Sequence, residues 1–159
     1  MKKIIIVFCL LILFSGSLAF AQSEKKATIT ATFGVGIGFC TIMETSPQLS
    51  FIFDLNIISK TGFTLCLTDF ISVHSNITSQ NIMFGAGYNY VRDKWNIGGT
   101  ILASPTLYDL MLGAKINGGY YFTDDIGING IVTYRRTAGL GVSSFSMFDV
   151  FAGVSIKPF

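Results

Sequence analysis

Apolar and small or polar residues alternate along the stretch from Ala27 to Phe39, ATITATFGVGIGF. Its odd positions carry Ile, Ala, Phe and Val, whereas its even positions carry only Thr and Gly. A repeat of two residues is typical of a β-strand whose two faces differ. A face of Thr and Gly is too weakly polar for an ordinary aqueous surface but suits a narrow barrel interior. We therefore expect the apolar face to point outward into lipid.

The same alternation recurs in eight segments, which residues typical of turns and loops separate. Each segment is predicted to be a strand. The predicted strands span residues 27–39, 48–58, 63–74, 81–91, 95–104, 108–122, 126–136 and 145–159. An even number of strands in a simple meander lets the last strand pair with the first, which leaves no open edge in lipid. We predict an all-β fold, a closed eight-stranded antiparallel up-and-down transmembrane β-barrel.

One charged residue breaks the alternation of the third segment. Asp69 falls on the outward face, between Leu67 and Ile71. A charge at that position predicts either a β-bulge or a place at the rim of the barrel.

The N-terminal residues have the pattern of a secretory signal peptide. Two lysines after the initial Met precede an apolar run over residues 4–14, and residues 19–21 are an A-x-A cleavage sequence. The run is too short to span a bilayer as a stable helix. We predict that residues 1–21 are a cleaved signal peptide and that residues 22–159 are the barrel. A retained N-terminal anchor is the alternative.

The composition agrees with a lipid-facing surface. Of the 159 residues, 50% are hydrophobic and 13% are charged, whereas a soluble domain usually has ~25% charged residues. The 17 glycines and 15 phenylalanines suit the interior and the aromatic girdle of a membrane barrel. A soluble lipocalin-like barrel is the architectural alternative, but its outer face would need charges that these segments lack.

The charge balance excludes some partners. Without Lys2 and Lys3, the 11 Lys and Arg residues fall to nine, which equals the 9 Asp and Glu residues. A net charge of zero gives no support for nucleic-acid binding or for a polybasic membrane-surface site.

The connections between the predicted strands alternate in length. The longer ones are residues 43–47, 75–80, 105–106 with their neighbours, and 137–144. In outer-membrane barrels the longer loops are extracellular and the short turns are periplasmic. This orientation places six outward aromatic residues near the periplasmic rim, where we expect an interfacial girdle. They are Phe63, Tyr88, Tyr90, Trp95, Tyr120 and Phe122.

With these features the chain resembles the small eight-stranded outer-membrane β-barrels of the OmpA/OmpX type over residues 27–159. The terminal Phe159 resembles the C-terminal aromatic residue that the barrel-assembly machinery reads in that class, although Lys157 and Pro158 interrupt the alternation before it. The resemblance implies a monomeric protein of the outer membrane of a Gram-negative bacterium. Its expected partners are outer-membrane lipid, the barrel-assembly machinery and a host or environmental ligand at short extracellular loops.

The candidate chemical motifs are weak. Gly34, Gly36 and Gly38 lack the G-x-G-x-x-G turn before a helix that a phosphate site requires, so we expect them to line one face of a strand. Cys40 and Cys66 are predicted near opposite ends of their strands, which disfavours a disulfide. With one histidine in the chain, a zinc site has no support.

Ser72 and His74 share one face near the predicted extracellular end, but no acidic residue is placed to orient the histidine. We interpret them as polar rim residues. We therefore predict no catalytic, cofactor-binding or metal-binding residues, no cofactor and no enzymatic activity.

Four charged residues fall on inward positions, namely Asp54, Lys115, Arg135 and Asp149. The interior of an eight-stranded barrel is just wide enough to be filled by side chains, so isolated charges there are costly. We predict that Lys115 reaches Asp54 across the lumen and that Arg135 pairs with Asp149 near the extracellular end. Such pairing closes the lumen and argues against a general diffusion porin, which needs ~16 strands.

Two function classes remain open. The first is a non-enzymatic barrel with a structural or surface-interaction role. The second is a narrow conduit or a binding barrel for a small hydrophobic molecule, which an apolar part of the lumen would permit. The inward apolar residues are Ile52, Phe70, Met83, Leu102, Met111, Ile131, Met147 and Phe151.

Overall fold

Eight antiparallel strands form a closed barrel in the computed structural model of this protein. The structure describes residues 27–41, 47–74, 77–105, 110–138 and 145–157. The strands are β1 (Thr28–Cys40), β2 (Gln48–Ile58), β3 (Phe63–His74), β4 (Ile77–Arg92), β5 (Trp95–Pro105), β6 (Leu110–Tyr121), β7 (Ile126–Ala138) and β8 (Ser146–Ile156). Each strand pairs with the next one along the chain, and β8 pairs with β1. The predicted fold class is confirmed.

Several predicted features lie outside the described residues. They are the signal peptide at residues 1–21, most of the loops at 43–47 and 137–144, and the terminal Phe159. Within the described ranges, no helix is long and apolar enough to cross a membrane.

The two ends of the barrel differ in their connections. We call the end that carries the short connections 59–62, 93–94 and 122–125 the turn end, and the opposite end the loop end. Gly62 in the first of these turns has a φ angle of 93°, a left-handed conformation that glycine adopts without steric cost. Both the start of β1 and the end of β8 lie at the turn end.

Neighbouring strands are shifted along one another around the barrel. This stagger determines which inward residues lie at the same height in the lumen. Following backbone partners from Thr28 on β1 around all eight strands leads back to β1 at Gly38, farther along the strand. The intermediate residues are Ile58, Thr64, Gly87, Thr100, Lys115, Thr133 and Asp149. A stagger of this kind tilts the strands by ~35–45° from the barrel axis.

The alternation along each strand separates a buried, largely polar interior from an apolar exterior, as predicted. Thr100 on β5 is 4% exposed, whereas the next residue, Ile101, is 74% exposed. On β6, Lys115 is 1% exposed and Ile116 is 62% exposed. Because apolar side chains dominate the outward positions of all eight strands, the outer surface has the character that a lipid environment requires.

Aromatic side chains cluster at the turn end on β3 to β6, as the sequence predicts. Phe63 pairs across the ladder with Tyr88. The rings of Trp95 and Tyr120 have centroids 4.8 Å apart, and those of Tyr120 and Phe122 are 5.6 Å apart. This band is the expected form of an interfacial girdle.

The predicted loop at residues 75–80 is wrong in part, because β4 already begins at Ile77. His74 pairs with Ile77, and β4 becomes the longest strand with 16 residues. Residues 77–81, ITSQN, carry polar side chains on both faces. A strand without an apolar face gives no alternation, which is why the sequence pattern does not detect it.

Asp69 does not lie at a bulge, so the bulge alternative is wrong, whereas the alternative of a place at the rim stays a prediction. The ladders on both sides are continuous, with Phe53 and Ile82 as its partners in the middle of β3. The Asp69 side chain is half-buried on the outer face, where its Oδ2 accepts a hydrogen bond from Gln80 Nε2 at 2.7 Å. The amide of Gln80 thus satisfies one carboxylate oxygen, whereas Asp69 Oδ1 has no hydrogen-bond partner among the described residues, and the backbone is regular at this position.

Candidate functional site

The charged residues of the lumen make the ion pairs that the sequence predicts. Lys115 Nζ on β6 lies 2.6 Å from Asp54 Oδ1 on the opposite wall, and both side chains are buried. Lys115 Nζ also donates to Asn56 Oδ1 at 3.1 Å. Asp54 accepts further hydrogen bonds from Thr68 Oγ1 at 2.6 Å and Asn56 Nδ2 at 2.7 Å. The pair is therefore embedded in a polar network that also fixes its position.

A second ion pair lies nearer the loop end. Arg135 Nη2 on β7 donates to Asp149 Oδ2 on β8 at 2.6 Å, and both side chains are completely buried. Asp149 also accepts from Ser50 Oγ at 3.1 Å and from Thr133 Oγ1 at 3.3 Å. Gly113 is the β6 partner of Arg135, and a Cβ atom there would lie 3.1 Å from Arg135 Cγ. The glycine thus leaves room for the long side chain to cross the lumen.

An apolar layer separates the two ion pairs. On β2 the inward residues run Asp54, Ile52, Ser50 from the turn end towards the loop end, so the apolar residue lies between the two polar clusters. The rings of Phe70 and Phe151 approach to 6.1 Å across this layer. Its members are Ile52, Cys66, Phe70, Met83, Leu102, Met111, Ile131 and Phe151. Of the eight inward apolar residues that the sequence offers for an apolar cavity, all but Met147 belong to this layer and pack against one another.

Polar side chains fill the lumen between the Asp54–Lys115 pair and the turn end. Asn117 Nδ2 donates to Asn89 Oδ1 at 2.9 Å, and Asn89 Nδ2 donates to Thr64 Oγ1 at 3.0 Å. Thr64 Oγ1 in turn donates to the backbone oxygen of Gly62 at 3.0 Å. Sequence reasoning did not single out these residues because an uncharged inward side chain carries no distinguishing signal.

Some buried polar atoms of the described lumen have no hydrogen-bond partner. Towards the turn end these are Asn96 Oδ1, Asn117 Oδ1, Asn129 Oδ1, Thr100 Oγ1 and the hydroxyl oxygen of Tyr121. Nearer the loop end they are Nε and Nη1 of Arg135. Since buried polar groups in proteins are nearly always paired, each of these atoms marks a place where water or a ligand can bind.

The other residues that the sequence analysis considered lie outside the two ion-pair clusters or support the packing of the barrel. The side chains of Cys40 and Cys66 are buried and unlinked, so the prediction of no disulfide is confirmed. Gly36 faces the lumen, where a Cβ atom would come within 2.0 Å of Val150 O, so this glycine permits close strand packing. Ser72 Oγ is hydrogen-bonded to Ser50 Oγ at 3.2 Å. The side chain of His74 lies outside the described residues.

Comparisons with known proteins identify the architecture. No family model and no curated protein matches this chain. Among solved structures, a de novo designed transmembrane β-barrel is 14% identical, with 84% of this chain and 98% of that chain covered and a TM-score of 0.56. The Neisserial surface protein NspA is 10% identical, with coverage of 82% and 96% and a TM-score of 0.59. At such identities the likeness shows the fold alone, that of a small transmembrane β-barrel.

Proposed function

We propose that this protein is an integral β-barrel of the outer membrane of a Gram-negative bacterium, of the OmpA/OmpX type. In this proposal residues 1–21 direct secretion, the barrel is monomeric, and its role is structural or surface-interacting and non-enzymatic. The observation that carries the proposal is the filled lumen. Two buried ion pairs, Asp54–Lys115 and Arg135–Asp149, stand on either side of an apolar layer.

A filled lumen disfavours the transport alternatives. A hydrated ion would have to cross the layer around Phe70 and displace a buried ion pair, whose disruption is strongly unfavourable. The conduit or binding barrel for a small hydrophobic molecule would need space among side chains that already contact one another. We therefore propose that diffusion of solutes through the barrel is not the main activity of this protein.

Conductance measurements test the closed lumen. Purified protein inserted into planar bilayers is expected to add no stepwise ionic current, because the apolar layer offers no polar path for ions. A general porin inserted under the same conditions serves as the positive control. A steady, ohmic single-channel current from this protein would contradict the proposal and favour the narrow conduit.

The loop end of β4 supports the surface-interaction part of the proposal. The β3–β4 ladder continues to His74 and Ile77, whereas the β4–β5 ladder ends at Phe84 and Ala103. Residues 77–83 therefore have no β5 partner among the described residues. This edge, ITSQNIM, contains none of the charges or prolines that usually prevent strand addition. An open edge of this kind suits the docking of an extended segment from another polypeptide.

Cysteine labelling of intact cells tests whether this edge is extracellular. In a background without Cys40 and Cys66, Thr78→Cys at the loop end is expected to react with a membrane-impermeant maleimide. Thr61→Cys in a turn-end connection is the matched control and is expected to react only after lysis. Both native residues are exposed. The reverse labelling pattern would contradict a surface role for the β3–β4 hairpin.

A further inference from the structure

Arg135 is a buried cation whose hydrogen bonds are incomplete. Its side chain is 0% exposed, and only Nη2 has a partner, Asp149 Oδ2. Nε and Nη1 have no acceptor in the described structure. A guanidinium has only hydrogen-bond donors, so these nitrogens can be satisfied solely by an acceptor.

The neighbouring side chains do not supply that acceptor. The face of the guanidinium lies over the Phe70 ring, with the central carbon 3.9 Å from the ring centroid. Ser50 and Thr133 direct their hydroxyl groups to Asp149. The other buried cation differs, because Lys115 Nζ donates to both Asp54 and Asn56. Of these two buried cations, only Arg135 therefore has nitrogen atoms without an acceptor in the described structure.

The position of Arg135 limits the size of any ligand and its direction of approach. On the side of the turn end, Phe70 and the apolar layer block the lumen. On the side of the loop end, the next inward residue of β7, Thr137, is 7% exposed, and Cys40 on β1 is 8% exposed. Phe145, which lies beside Thr137 at the loop end, packs against the apolar layer. The guanidinium therefore lies about one layer of side chains below the loop-side mouth of a narrow lumen, where only a small group fits.

We propose that this mouth binds a small oxyanion, such as inorganic phosphate or a carboxylate group, on Nε and Nη1 of Arg135. A guanidinium presents several donors in one plane and matches oxyanions better than an ammonium does. Asp149 repels the anion, but its charge is shared with Ser50, Thr133 and Nη2. We therefore expect weak binding, with a dissociation constant in the millimolar range. The site goes beyond the proposed surface role and does not depend on it.

Thermal unfolding of the purified barrel in detergent micelles tests the site. Sodium phosphate is expected to raise the unfolding midpoint by several degrees above sodium chloride of equal ionic strength, because a ligand of the folded state stabilises it. Arg135→Lys keeps a positive charge beside Asp149 but lacks the Nε and Nη1 donors, so it is expected to abolish the difference. The double variant Lys115→Met with Asp54→Asn removes the other ion pair. It is expected to keep the difference in unfolding midpoint between phosphate and chloride.

A second measurement uses the wild-type protein and remains informative if Arg135→Lys does not fold. The ¹⁵N–¹H resonance of Arg135 Nε, assigned with Arg92→Lys and Arg136→Lys, is expected to shift and saturate with phosphate but not with chloride. Equal midpoints in the two salts together with an unshifted Nε resonance would overturn the proposal. A phosphate effect that Arg135→Lys retains would overturn it as well, since the anion would then bind elsewhere.

Discussion

Lys115→Met is expected to destabilise the barrel by about 3 to 5 kcal/mol, because it leaves the buried carboxylate of Asp54 without its counter-charge. Asp54→Asn is expected to cost a similar amount by stranding the ammonium group. The double variant is expected to lie much closer to the wild type. In the double variant, the amide at position 54 can accept a hydrogen bond from Thr68, as Asp54 does in the native protein. It can also donate a hydrogen bond to Asn56 Oδ1, which accepts from Lys115 Nζ in the native protein.

A double-mutant cycle in reversible urea unfolding measures this coupling. The four proteins share the same fold and detergent, so the cycle isolates the interaction between positions 54 and 115. Coupling below roughly 0.5 kcal/mol would mean that the two charges are separately solvated. That result would contradict the filled lumen and strengthen the case for a water-filled conduit.

Val132→Arg is expected to destabilise the barrel in lipid vesicles by about 2 to 4 kcal/mol, the cost of a charge near the bilayer midplane. Val132 lies on the outer face in the middle of β7, between Ile116 and Val150 on the neighbouring strands. Its 38% exposure in the isolated chain would be covered by acyl chains in a bilayer. The adjacent Thr133 points into the lumen and donates to Asp149.

Urea titrations of the barrel folded into vesicles provide the measurement, and Thr133→Ser provides the matched control. Because Ser keeps the hydroxyl group, this change is expected to cost less than about 1 kcal/mol. If Val132→Arg were as stable as the control in vesicles, the outer face of β7 would not be in contact with lipid. The assignment of this barrel to a membrane would then fail.

The sequence alone determined which side chains face inward. A strand directs successive side chains to opposite faces, so alternation along the chain already distinguishes Thr100 from Ile101. It also predicted both ion pairs, because a narrow lumen leaves four inward charges few ways to be neutralised. Where the alternation is absent, the sequence does not predict the strand. Polar residues on both faces of residues 77–81 hid the start of β4, and the Asp69–Gln80 hydrogen bond across the β3–β4 ladder replaced an expected bulge.

Only the tertiary structure decided the stagger of the strands and everything that depends on it. Shifting a strand by two residues leaves every side chain on its face, so alternation cannot choose among such registers. The choice depends on ladders between strands and on packing across the lumen. These interactions bring Arg135 from β7 over Phe70 on β3, and they leave residues 77–83 beyond the end of the β4–β5 ladder. The unmet donors of Arg135, and the lack of a β5 partner for residues 77–83 among the described residues, therefore follow from contacts between residues far apart in the chain.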